Sequence, residues 1–286
     1  MAGRTFSGTY TSFISLYNPA TQRPATVTGK IINASGQGIV GNFNFAWTVN
    51  NQGTIEGNGS TNGFGIQLLD GGTVNNAAGG LIAGYNQAIL VEFASGAVTN
   101  LGRIEDTGTN GVGVSFFDTG GQVINGSAGD TAALISGEGN GIVINGAAGS
   151  VANFGTIEST GARTAIRLVS GGSVSNGGST STKALISNTG GANAVYIGYG
   201  VGTVTNFGTI TGNNGVVLLE GGRVANGRSG STAGRIIGGS GGDAINVLAG
   251  AGTVTNFGTI QEHANSASGC TAVAQSPTAP PGRRLR

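Results

Sequence analysis

One phrase, Val-x-Asn-x-Gly-x-Ile, recurs through this chain and constrains its fold more than any other feature. It spans Val49–Ile55 (VNNQGTI), Val98–Ile104 (VTNLGRI), Val151–Ile157 (VANFGTI), Val204–Ile210 (VTNFGTI) and Val254–Ile260 (VTNFGTI). A short unit returning at a near-constant period cannot bury its own apolar face, so it specifies a stack of like turns. Weaker echoes lie between the strong phrases, at Val74, Val123, Val174 and Val224, each followed two residues later by Asn. The nine Val-x-Asn sites cover the 205 residues from Val49 to Val254, or about 26 residues per turn. The expected fold is all-β: a right-handed, single-stranded parallel β-helix (β-solenoid). It has about nine turns of roughly 26 residues, paired into double-turn repeats of about 50.

Each turn reads as three short strands. The first is the Val-x-Asn segment. The second ends on a ladder isoleucine: Ile55, Ile82, Ile104, Ile135, Ile157, Ile186, Ile210, Ile237 and Ile260. The third is an alternating patch such as Gly65–Leu69 (GIQLL), Ala165–Leu168 (AIRL) or Ala244–Val247 (AINV). Alternation sends every second side chain inward, which places Arg167 and Asn246 on the solvent side. Stacking at the spacing of paired strands, roughly 4.8 Å, sets valine over valine and buries methyl groups continuously.

The asparagines are the sharpest structural sign. Asn51, Asn76, Asn100, Asn125, Asn153, Asn176, Asn206, Asn226 and Asn256 each follow an inward valine by two residues, so parity turns them inward as well. A lone buried amide is costly, whereas stacked amides satisfy one another and the bending backbone. They are expected to form a structural ladder at one corner, with no catalytic, cofactor or metal role. Beyond this Asn the link to the isoleucine alternates in length. It is four residues in the strong phrases, where Leu101, Phe154, Phe207 or Phe257 follows Asn in four of the five. In the echoes it grows to six, ten, ten and eleven residues. One corner should therefore bulge on every second turn, with Leu or Phe packed beside the bulges.

Composition narrows the alternatives. Glycine is abundant, 58 of 286 residues, but has no three-residue period, which excludes collagen. Valine and isoleucine recur in register, which a disordered linker has no reason to do. Residues 50–262 hold all 12 acids and only seven bases, a mildly acidic body that makes a poor nucleic-acid platform. Cys270 is the only cysteine, which leaves no internal disulfide and no cysteine-based metal site. The chain shows no secretory h-region and no run long enough for a membrane helix. Residues 1–30 lack the phrase and read as an atypical starting turn or cap. Residues 31–262 read as the β-helix, the first of them, 31–48, as a transitional turn with Phe43, Phe45 and Trp47. Residues 263–286 read as a disordered tail.

Chemistry is hard to assemble from these residues. His263 is the sole histidine, and no G-x-S-x-G elbow has suitable partners. Glu56, Glu105 and Glu158 follow ladder isoleucines on the outward side, and Asp106 adds a second charge beside Glu105. If their turns lie two apart, the separation is roughly 9.6 Å, near that of an inverting glycosidase pair. No aromatic residue repeats beside them. A single calcium-roll-like match, Gly238–Asp243, lacks the adjacent copy such a site requires.

The VTNFGTI phrases, together with Leu68–Asn76 (LLDGGTVNN), resemble the passenger region of bacterial autotransporters over roughly residues 49–260. The resemblance implies a surface-displayed rod active in adhesion, autoaggregation or biofilm formation, and hence an extracellular or outer-surface location. No export signal and no membrane β-barrel pattern accompany it. The expected function is a noncatalytic adhesin-like scaffold that needs no cofactor. It would contact carbohydrate, protein or identical rods, with no nucleic acid as partner and no integral membrane segment in this chain. A polysaccharide-processing enzyme and a self-assembling fibre module are the alternatives.

Overall fold

The structure, a computed structural model, describes residues 3–263. They wind into a right-handed parallel β-solenoid of three sheets. Sheet A has eleven strands, from Arg4–Phe6 to Gly252–Asn256, and sheet B eleven, from Thr9–Tyr10 to Thr259–Glu262. Sheet C has ten, from Ile14–Leu16 to Ile245–Val247. Coil n is defined by the nth strand of each sheet. Every third strand in sequence lies beside its predecessor, so the chain visits A, B and C in turn.

Register follows the repeat. Val74 pairs with Val49 and with Val98, and Ile82 with Ile55 and with Ile104. These valines and isoleucines, with the alternating residues of sheet C, form one continuous buried core along the axis. Arg167 is exposed on the outer face of sheet C, and Asn246, partly buried, donates to the Asp243 carboxylate at 2.7 Å. One ladder position is corrected. Ile236, and not Ile237, pairs with Ile210 and Ile260 and is fully buried, while Ile237 faces outward between Thr211 and Gln261. Two adjacent isoleucines hide the parity, which the register resolves. The link from Asn226 is then ten residues, equal to those from Asn125 and Asn176.

Two coils precede the first recognisable phrase. In coil 2, Ala25 and Val27 pair with Val49 and Asn51, so the coil keeps the geometry but replaces Val and Asn with Ala and Val. Phe6 stacks on Val27 one coil earlier. A single helical turn, Pro19–Gln22, N-capped by the Asn18 side chain, joins these coils. The tail assigned to residues 263–286 lies outside the described residues apart from His263.

The corner between sheets C and A shows how side-chain volume is shared. Sheet A strands from coil 4 onward open with glycine, among them Gly72, Gly96, Gly121, Gly149, Gly202 and Gly252. The last inward side chain of sheet C fills that space: a Cβ at Gly121 would lie 2.5 Å from Phe116 Cδ1, and one at Gly149 would lie 2.6 Å from Ile144 Cδ1. The corner from coil 2 to coil 3 reverses the arrangement. Trp47 stands in the glycine column, and Gly41 takes the sheet C position that Leu68 and Val91 hold later. A Cβ at Gly41 would meet Trp47 Cδ1 at 2.6 Å. The buried indole gives its N–H to the Asn42 carbonyl at 2.9 Å, which removes the cost of an unpaired donor.

Candidate functional site

The nine asparagines at the A–B corner sit one above the next. Each Nδ2 donates to the Oδ1 of the following coil at 2.8 Å, from Asn51 to Asn76 and onward through eight links to Asn256. Each donating amide also reaches backbone carbonyls of the turning chain, as Asn100 does to Gly102 and Leu134. The amides from Asn51 to Asn226 are buried, and their hydrogen bonds bind neighbouring coils together. They present nothing to a ligand.

Outside this ladder the A–B corner carries a ridge. In coils 6, 8 and 10 the ten-residue link folds into a tight turn with reciprocal backbone bonds between Ser127 and Asp130, Gly178 and Ser181, and Arg228 and Ser231. The turns follow Gly126, Gly177 and Gly227, all at positive φ. Ser231 Oγ reaches the Ser179 carbonyl at 3.5 Å, so bulges two coils apart touch. Phe154 packs near Gly178, and Phe154, Phe207 and Leu101 are half-buried at this corner. At coil 4 the link is short, which leaves a shallow depression floored by Leu81 and Leu101 and bordered by Arg103, Glu105 and Asp130.

The outward acids of sheet B alternate by coil. Glu56 and Glu105 both pair with Ala83, and Glu105 and Glu158 both pair with Ser136, so the three carboxylates lie two coils apart. Arg103 bridges to Glu105 at 2.6 Å, and this bond, reinforced by charge from Glu105 and Glu158, raises the guanidinium pKa. Asp106 does not join that row. It turns into the B–C corner, where its carboxylate accepts from the N–H of Gly108 at 2.9 Å and of Glu138 at 3.0 Å. Glu138 accepts in return from the N–H of Asn110. Burial pushes the Asp106 carboxyl above its ordinary value against the pull of these donors, and the Glu138 charge adds to the rise. Among the described residues no group of three or more His, Cys, Asp or Glu is placed to hold a metal ion.

The most unusual surface is the C–A edge. In most coils this corner needs one residue in the left-handed region. Glycine supplies it in coils 3, 6, 7, 9 and 10, at Gly71, Gly146, Gly171, Gly221 and Gly250. Asn44 and Asp118, residue types that tolerate this backbone, serve coils 2 and 5. Coil 4 uses Phe93, at φ 59°. A bulky residue there costs roughly 1–2 kcal/mol, yet its ring is 57% exposed and so recovers little by burial. Phe93 meets Phe43 of coil 2 at 5.7 Å between ring centroids, across the intervening coil. Phe43 and Phe117 are themselves 51% and 46% exposed. Beside the rings a polar chain crosses three coils on the outer face of sheet C: Gln37 Nε2 donates to Gln67 Oε1 at 3.4 Å, and Gln67 Nε2 to Glu92 Oε2 at 2.8 Å. The arrangement offers flat apolar faces next to fixed amides and a carboxylate, without an enclosed cleft.

The sequence alone assigns Phe43 to a transitional turn and marks no role for Phe93 and Phe117. The signal was a missing glycine at one corner position, visible only once the coils are aligned. No family model matches this chain, and neither a curated protein nor a solved structure matches it.

Proposed function

We propose that the chain is a noncatalytic scaffold that holds a glycan along its C–A edge and is displayed at a bacterial surface. The observation that carries this reading is Phe93, an exposed ring on backbone that favours glycine, because an unfavourable residue at a surface position points to use rather than to folding. Flat rings against sugar C–H faces, flanked by planar polar groups that bond hydroxyls, suit carbohydrate recognition. The repeated phrases, which resemble autotransporter passengers, support surface display and an adhesin-like role. A glycan screen with the folded chain tests the proposal. Binding is expected, and it should fall at least tenfold in Phe43→Ala and Phe117→Ser variants with unchanged circular dichroism. No glycan bound, or binding indifferent to both substitutions, overturns it.

Polysaccharide cleavage is the second reading, supported by Asp106, whose raised pKa beside Glu138 is the property a general acid needs. The pair sits at the B–C corner, away from the exposed rings, and both carboxylates already organise backbone loops. Release of new reducing ends by the wild-type chain, abolished in Asp106→Asn, would favour this reading over the scaffold.

A further inference from the structure

We infer that the glycan held at the C–A edge is cationic, a polymer bearing free amino sugars. This rests on the glycan reading above and narrows its ligand. Carboxylates lie among the exposed rings Phe43, Phe93 and Phe117: Asp70 in coil 3, Glu92 next to Phe93 in coil 4 and Asp118 next to Phe117 in coil 5. The surrounding coils intensify that field. Residues 31–145 carry eight of the 12 acids and a single base, Arg103, which is ion-paired to Glu105 on sheet B. Residues 146–262 carry the other four acids and six bases, so the negative field belongs to the coils that bear the paired rings. Arg23 donates to the Ala46 carbonyl at 2.9 Å, which brings one guanidinium to this edge against the three carboxylates beside the rings.

Ligand charge then decides among glycans. A polyanion is repelled from this edge, and a neutral chain gains only stacking and neutral hydrogen bonds. Ammonium groups add charge-assisted bonds to carboxylates and attraction to ring faces. Glu92 is already oriented by Gln67, which leaves its second oxygen available among the described contacts. Phe43 and Phe93, two coils apart, bring their ring centroids to 5.7 Å, close enough for one sugar residue to contact both. The axial row of rings and acids therefore suits a chain laid parallel to the rod.

The test compares a glucosamine hexamer, an N-acetylglucosamine hexamer and a lysine-rich peptide by calorimetry at low and high salt. The amino hexamer should bind at least tenfold more tightly than the acetylated one at low salt, and lose most of that preference at high salt. Glu92→Gln, which keeps an acceptor for Gln67, and Asp118→Asn, which keeps a residue suited to the left-handed backbone, should each narrow the preference severalfold. Equal affinity for the two hexamers overturns the charge inference and leaves the glycan reading standing. Peptide binding as tight as the amino hexamer overturns the sugar class. Absence of binding by both hexamers removes this inference together with the glycan contact on which it rests.

Discussion

At the residue scale, burial decides what an amide does. Asn153 receives a bond from Asn125 and gives one to Asn176, both at 2.8 Å, inside the corner. Asn50 lies on the outer face and accepts one bond from Asn75 at the same distance. Asn153→Ala should cost about 2–4 kcal/mol, because it leaves the buried Asn176 Oδ1 without its donor and breaks the link from Asn125. Asn50→Ala should stay within about 0.5 kcal/mol. Chemical denaturation of the two variants checks the contrast, and equal losses would contradict the ladder's energetic role. Asp106 supplies a pH test at the same scale. Its folded-state pKa lies above the ordinary carboxylate value, so between the two values the folded chain keeps a proton that the unfolded chain has lost. Asp106 therefore favours folding below that window and loses this contribution as pH rises through it. Subtracting the Asp106→Asn stability profile from wild type should leave a difference that falls as pH rises out of the ordinary carboxylate range. A rising difference would contradict the assignment.

At the element scale, each strand is short and earns its place by register. Gly121 and Gly129 separate space from mere flexibility. A methyl at Gly121 would enter Phe116, whereas one at Gly129, in the coil 6 bulge, meets nothing within 4 Å. Gly121→Ala should lower stability by about 1–3 kcal/mol through overpacking, and Gly129→Ala should leave it within about 0.5 kcal/mol; thermal melts distinguish them. Most strands were legible in the sequence because Val, Asn and Ile recur with a parity that burial enforces. Coils 1 and 2 were not, since Phe6, Ala25 and Val27 satisfy the same packing without the phrase. Ile236 and Ile237 cannot be told apart by parity, because both are isoleucine and only the register shows which faces inward. The candidate edge was least legible. Its residues meet only across coils, and its clue, Phe93 in place of glycine, appears after register is known.

At the scale of the whole molecule, stability and recognition occupy different surfaces. Stability comes from the axial core and the asparagine ladder, which continue through the coils with little regard for position. Four of the seven exposed aromatic residues, Phe43, Phe45, Phe93 and Phe117, lie in coils 2 to 5, where bases are also scarce, so this part of the repeat array is chemically distinct from the rest. A repeat protein tolerates such local specialisation because each coil answers mainly to its neighbours. Phe93→Gly tests the separation most directly. Glycine relieves the left-handed backbone but adds unfolded-state freedom of about 0.5–1 kcal/mol, so the two effects nearly offset. Melting temperature and glycan affinity should be measured on the same preparation. An unchanged or slightly higher melting temperature is expected, with at least a tenfold loss of glycan affinity. Unimpaired affinity, or affinity and stability lost together, would contradict the separation.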